Sequence, residues 1–245
     1  MQYKKIVIAI TTNMLGTFSL LAAPVWMQNG LMGISMGMGI PNTPSLSSIT
    51  NADSYPPDLY SANDSSTIPI IDIFLGKRST LFNHAAVMAI HYNTNLYQTT
   101  QGMIDEFSDS RFWNYRYNYS ITRYTLLGEY QWNLLSLENN NKAQPYLLLG
   151  LGLSSNTLGN YSEQPEPNVI YPRDSMNFAR RTLTQVAFEA GLGMSYRLNA
   201  NWDLDAECTY LNAGDAALGA NNIGNFGPKQ KLVYTTFMTG VRYSI

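Results

Sequence analysis

The sequence is poor in the residues that most chemistry requires. Cys208 is its only cysteine, so no internal disulfide can form. His84 and His91 are its only histidines, and with a single thiol they give no donor set of the kind that holds zinc. Charge is also scarce: 15 Lys and Arg stand against 17 Asp and Glu, only 13% of the residues. The basic stripe that a nucleic-acid surface needs is therefore missing. A mean hydropathy of -0.16 excludes a bundle of membrane helices. Beyond the amino terminus, the apolar run from Leu147 to Leu153 falls far short of the roughly 20 residues of a helical span.

What the chain has in quantity is tyrosine, 17 residues, and alternation at period two. Near the carboxyl end Val233, Thr235, Phe237, Thr239, Val241, Tyr243 and Ile245 occupy every second position, with Thr236, Met238, Gly240, Arg242 and Ser244 between them. One face is apolar and the other small or polar, as in a strand with two different surroundings. Leu31 to Ile40 behaves alike: Met32, Ile34, Met36, Met38 and Ile40 oppose Gly33, Ser35, Gly37 and Gly39. Large residues outside and very small ones inside suit a narrow barrel, whose overall hydropathy stays low because every second residue points inward.

The amino terminus is separate. Lys4 and Lys5 precede an interrupted apolar run that ends Leu20-Leu21-Ala22-Ala23. A basic start, a short apolar stretch and small residues at its end predict a secretory signal peptide over residues 1–22, leaving 23–245 as one domain. The competing reading is an uncleaved anchor, disfavoured by the shortness of the run.

Further strands are expected over Ile68 to Gly76, with Asp72 inward, over Ala85 to Tyr92, and over Trp113 to Leu134. Pro145 to Ser155, Thr184 to Leu198 and Trp202 to Tyr210 follow, each with clean alternation. Within Trp113 to Leu134, Tyr124, Leu126, Gly128, Tyr130 and Trp132 share one face, whereas Tyr115, Tyr117, Tyr119 and Ile121 alternate in the opposite phase. Either a bulge reverses the faces near Thr122, or the upper part stands clear of the membrane. Long polar stretches, 41–67, Asn93 to Phe112, Asn156 to Leu183 and Ala213 to Gln230, predict loops. Short turns are expected at Lys77 to Asn83, Glu138 to Lys142 and Asn199 to Asn201.

Long and short connections alternate strictly, and the strands number about eight, the even count that returns both chain ends to one side. On outward faces Tyr130, Trp132, Tyr196, Trp202 and Tyr243 fall beside short turns and Tyr92 and Tyr210 at the opposite end, where interfacial aromatic girdles belong. With its Gly-rich strands and closing Tyr243, the chain resembles the small bacterial outer-membrane β-barrels: OmpA-like transmembrane domains, OmpX and the opacity-type surface antigens. That resemblance implies an all-β, eight-stranded antiparallel transmembrane barrel with up-and-down topology, long loops outside and both termini in the periplasm. It further implies that Phe237, Thr239, Val241, Tyr243 and Ile245 form the strand read by the barrel-assembly machinery, although Ile245 replaces the usual terminal Phe. Lipid, lipopolysaccharide and periplasmic chaperones are the partners it implies.

A lumen of this width holds little but its own side chains. The inward faces carry Asp72, Glu129, Glu189, Asp205 and Glu207 against Arg123, Arg197 and Arg242, with His91 nearby. Confined charges must pair or be solvated, so these eight are expected to form an ion-pair network in which Arg242 meets Asp203, Asp205 or Glu207. Catalysis has little to work with. His84 falls in a short turn, and His91 has no serine on its face within reach, so no triad is supported, and no cofactor is implied. Function is left to the outer loops, which offer Asp53, Tyr55, Asp58, Tyr60, Asp105, Glu106, Arg111, Trp113, Arg116, Tyr161, Glu163, Glu166, Tyr171, Arg173, Arg180 and Arg181. Tyr-rich loops on a rigid scaffold suit recognition of a host or matrix ligand; shielding of the surface is the plainer reading. The expected function is that of a surface adhesin, antigen or envelope-stabilising protein, with a narrow porin-like channel as the alternative and a lipid-modifying enzyme further behind.

Overall fold

A computed structural model describes residues 29–42, 59–62, 67–96, 98–105, 114–136, 141–167, 169, 177–221 and 227–245, and among the described residues it has ten strands and no helix. The strands are β1 (Gly30–Pro41), β2 (Leu59–Ala62), β3 (Ile68–Leu81), β4 (His84–Asn95), β5 (Thr99–Asp105), β6 (Tyr115–Ser136), β7 (Ala143–Pro165), β8 (Arg181–Arg197), β9 (Trp202–Ala217) and β10 (Lys229–Ser244). The proposed signal peptide lies outside the described residues, as do the loop residues Asp53, Tyr55, Asp58, Glu106, Arg111, Trp113, Tyr171 and Arg173.

Eight of the strands close on themselves. β1 pairs with β3 and β10, and the ring continues β10, β9, β8, β7, β6, β4 and back to β3, antiparallel throughout. The register is sheared. From Tyr130 on β6, direct partners run through Met88 and Lys77 to Gly30 on β1; the other way they run through Leu149, Ala190, Tyr210 and Thr235 to Ile40. The two paths meet β1 ten residues apart, at 30 and 40, which requires strands steeply tilted to the ring axis.

The remaining two strands extend one end. β5 continues above β4 on the same edge of β6, setting Thr99 to Ile104 against Ser120 to Tyr115, and β2 adds to the outer edge of β5. β6 and β7, of 22 and 23 residues, run up into this extension.

Facing follows the sequence in most places. Leu149, Leu151, Val186 and Ile90 are each at least 60% exposed on the outside, whereas Asp72, Glu129, Asp205 and Arg242 are buried on the inside. So large an exposed apolar surface, continuous around the wall, belongs in hydrocarbon.

Several expectations are corrected. The turn between β3 and β4 is not Lys77 to Asn83 but Phe82 and Asn83 alone, both at positive φ (49° and 65°), the backbone that a two-residue hairpin requires. His84 thus opens β4 rather than lying in a turn. Much of Asn93 to Phe112, Asn156 to Leu183 and Ala213 to Gln230 is strand: β4 ends at Asn95, β5 is inserted, β7 reaches Pro165, β8 begins at Arg181, β9 ends at Ala217 and β10 starts at Lys229. Tyr161, Glu163 and Arg116 are therefore strand residues. The asparagines that suggested loops face inward and bond backbone: Asn95 Nδ2 donates to the Ile121 carbonyl at 3.0 Å and Asn156 Nδ2 to that of Ala213 at 2.6 Å.

No reversal occurs near Thr122. Every odd residue of β6 from Tyr115 to Gln131 is buried, so the strand keeps one phase and the interior changes chemistry instead. The irregularity lies higher, between Asn118 and Ser120, opposite Asn160, whose φ is 55°. Val233, expected outside, is buried because the register shifts between Lys231 and Val233.

Candidate functional site

Three layers fill the ring, stacked between the short turns and the extension. The lowest is an open mouth at the short-turn end. Arg78, Asn133, Gln144, Ser195, Arg197 and Arg242 line it, among others. Arg78 forms a short contact with Asp203, and Arg197 Nε lies 4.0 Å from the other oxygen of the same carboxylate.

Above the mouth is a buried polar layer. Arg242 Nη1 donates to Gln131 Oε1 at 2.6 Å, and Nη2 donates to Asp205 at 2.5 Å and to the Tyr146 hydroxyl at 2.9 Å. Tyr146 in turn donates to Asp205 at 2.8 Å and reaches Glu207 at 3.3 Å. The guanidinium sits over two rings, 5.0 Å from that of Tyr146 and 5.4 Å from that of Phe74. Its expected meeting with the β9 carboxylates is realised at Asp205.

The other inward charges are satisfied differently. His91 Nδ1 lies 2.9 Å from Asp72, its Nε2 is 3.4 Å from Glu129, and its ring stacks on Phe74 at 4.9 Å. Glu129 also accepts from Gln131 Nε2 at 2.7 Å. Glu189 accepts from the Thr209 hydroxyl in a short contact, and Thr209 meets Thr236 at 2.5 Å. Arg123, 1% exposed, donates to Asn93 Oδ1 at 2.7 Å and stacks over Tyr234 at 5.0 Å, with no carboxylate partner among the described residues. The eight expected residues are thus inward but do not make one ion-pair network. Arg242 with Asp205 and Arg197 with Asp203 pair charge with charge, and neutral hydroxyls and amides serve Glu189, Glu207 and Arg123. Carboxylates outnumber cations here, so neutral donors must make up the difference. Sequence reasoning missed Arg78, Gln131, Tyr146 and Thr209 as members. Their inward phase was the available signal.

The upper layer is predominantly apolar, with the buried side chains of Arg123, Asn95 and Asn156 among it. Ile121, Leu127, Leu158, Leu211, Leu232 and Tyr234 are each at most 2% exposed, and Tyr115, Tyr117 and Tyr119 continue the same cluster into the extension. Tyr117 stacks on Tyr119 at 5.9 Å and on Tyr161 at 6.4 Å, and Tyr161 meets Phe178 edge-on at 5.1 Å. Polar ends find partners: Tyr119 donates to Gln230 at 2.6 Å and Tyr234 to Gln98 at 3.2 Å. Burial raises the phenols of Tyr117, Tyr119 and Tyr161 above the ordinary tyrosine range.

On the outer wall, aromatic residues form two rows. Trp202 packs on Tyr243 at 5.0 Å near the short turns, and Trp132 meets His84 edge-on. At the other end Tyr92 stacks on Tyr124 and Phe188 packs on Tyr210. Trp132 to Tyr124, Tyr196 to Phe188 and Trp202 to Tyr210 are each eight residues apart along a strand. At about 3.3 Å per residue and a tilt near 40°, that places the rows roughly 20 Å apart, comparable with an apolar band of about 25 Å. Tyr130 lies between the rows, half-buried. Phe237 and Thr239 face outward on β10, Val241 and Tyr243 are half-buried, and Ile245 donates its N–H to Gly30 across the seam.

Both ring nitrogens of His91 face carboxylates, and His84 Nδ1 lies 2.9 Å from the Asn133 carbonyl oxygen. Among the described residues no group of His, Cys, Asp and Glu is arranged to hold a metal ion.

Comparison with known proteins agrees with this architecture. OprG, an outer membrane protein of Pseudomonas aeruginosa, is similar in fold, with a TM-score of 0.51 and 14% identity over 89% of this chain and 97% of that one. Neisserial surface protein A matches at 0.46 and 12% identity, covering 88% and 96%, and Ail of Yersinia pestis at 0.38 and 15%, covering 89% and 100%. No protein of curated function matches the sequence. The family model of the outer membrane protein beta-barrel domain matches residues 14–244, and the chain belongs to that family.

Proposed function

We propose that the protein is a surface barrel of the bacterial outer membrane, an adhesin, antigen or envelope-stabilising protein whose long-loop end faces outward and whose termini lie in the periplasm. The observation that carries this reading is the apolar layer above the polar one. Tyr119, Tyr234, Ile121 and Leu158 occupy the lumen where a channel would need water, and the same cluster continues into the strand extension beyond the upper aromatic row. Such an extension presents Arg116, paired with Glu166 at 3.0 Å, on a firm base. In this reading the two aromatic rows mark the membrane interfaces, residues 1–22 direct export, and the alternation from Phe237 to Ile245 is what the assembly machinery recognises after chaperoned passage. Lipid and lipopolysaccharide surround the wall, and a host or matrix ligand meets the loops.

Cells displaying the protein, with and without residues 168–176, test the proposal. Protease added to intact cells should cut within the long connections, and the deletion should leave a folded barrel that attaches less to host matrix. Cleavage only after the outer membrane is opened would reverse the orientation, and unchanged attachment would leave shielding or envelope stabilisation as the role.

A further inference from the structure

The mouth at the short-turn end has a composition unlike the rest of the lumen. Its lining carries three guanidinium groups, Arg78, Arg197 and Arg242, and no carboxylate. Behind the lining stand two anions, Asp203 beside Arg78 and Arg197, and Asp205 beside Arg242. Arg242 thus has Asp205 to itself, with Glu207 behind it, while Arg78 and Arg197 share the one carboxylate of Asp203. The surplus falls on Arg197, whose side chain is 43% exposed and whose Nε reaches Asp203 only at 4.0 Å.

Residues lining the same space carry donors that make no hydrogen bond. Arg242 is 4% exposed and its Nε has no hydrogen-bond partner, although both of its terminal nitrogens are engaged. Gln144 accepts from Asn133 Nδ2 at 2.9 Å through its oxygen, which leaves its amide nitrogen to donate, and the Ser195 hydroxyl lines the same wall. A buried guanidinium N–H left unmade is costly, and an incoming acceptor would recover that cost. Deeper entry is barred, because Arg242 and Gln131 bridge the lumen and the carboxylates of Glu129 and Glu207 lie beyond them.

We propose that this vestibule is a binding site for a phosphate group, held by Arg197 and Arg242 with Gln144 and Ser195 as neutral donors. Arginine clusters recognise tetrahedral oxyanions through charge-assisted hydrogen bonds. The site is independent of what the loops bind. Two sources supply such a group at this end of the barrel, free phosphate and the headgroup of a phospholipid.

The test uses the full chain refolded in a non-ionic detergent, with arginine Nε–H resonances followed as inorganic phosphate is added at constant ionic strength. Saturable shifts of the Arg197 and Arg242 signals are expected. Arg197→Gln, at a half-exposed site, should leave the melting temperature unchanged and weaken phosphate binding about tenfold or more. Asp203→Asn should strengthen it by releasing guanidinium groups from their carboxylate. Competition by phosphatidylglycerol in the micelle would assign the site to a headgroup, and lack of competition to free phosphate. Shifts reproduced by chloride, shifts that never saturate, or affinity unaltered by Arg197→Gln would overturn the proposal.

Discussion

At the scale of single residues, Arg242 is the member whose removal should matter most. It is enclosed, bonds Gln131 across the lumen and Asp205 on the adjoining strand, and lies over two rings. Breaking a buried pair costs about 3–5 kcal/mol because the abandoned partner keeps its charge without its counter-charge. Arg242→Ala should therefore lower the temperature at which the folded form is lost, and Arg242→Ala with Asp205→Asn should recover part of that loss. An equal melting temperature for wild type and Arg242→Ala would show that the pair adds nothing. The position of Arg242 was legible from the sequence, since the phase of β10 turns it inward beside β9. Its bond to Gln131 was not, because 111 residues and the width of the lumen separate them.

At the scale of strands, inward glycines and inward aromatics are matched. A Cβ on Gly33 would stand 2.3 Å from Phe74 Cζ, one on Gly193 2.3 Å from Tyr146 Cζ, and one on Gly102 2.4 Å from the Tyr117 hydroxyl. Each glycine is the direct cross-strand partner of the ring lying over it. A narrow ring leaves no other place for so large a side chain, so the neighbouring strand gives up its own. Gly193→Ala should cost about 1–3 kcal/mol by overpacking. In Tyr146→Ala, where the ring is gone, the same change should cost much less, a coupling readable from urea midpoints of the four variants. Additive losses would mean that ring and glycine do not share space.

The same scale explains which elements the sequence concealed. Alternation marked the wall-facing residues of β1, β7, β8 and β10 because hydrocarbon demands an apolar face there. Beyond the upper aromatic row that demand ends, and asparagine and serine give the composition of a loop. Asn95, Asn156 and Thr157 nevertheless lie in strands, held by hydrogen bonds to backbone carbonyls and a hydroxyl of other strands. The tyrosines of β6 misled for a related reason. Large aromatics below Thr122 face lipid, so aromatics above it looked as if they had changed sides, whereas they fill the extension from within.

For the whole molecule, the order of layers decides whether the barrel conducts. An open cationic mouth leads to a polar layer, and above it aliphatic and tyrosine side chains are packed in the lumen. In planar bilayers the wild-type protein should show no steady current steps. Tyr119→Ala with Tyr234→Ala, which empties the centre of that layer, should introduce them. Steady steps in the wild type that change with Glu207→Gln would instead favour the porin-like alternative.

The sequence by itself determined the all-β class, the count of wall strands and most of the inward residues of β1, β7, β8, β9 and β10, because each of these is set within one strand by the pleat and by the medium on either side. The tertiary structure alone decided which inward groups meet. The ten-residue shear of the ring sets the height at which each strand presents its side chains, and with it the pairing of Arg242 with Asp205 and Gln131, the reliance of Glu189 on hydroxyls, and the apolar seal beneath the extension. Contacts across a lumen depend on that shared height, which no single strand encodes.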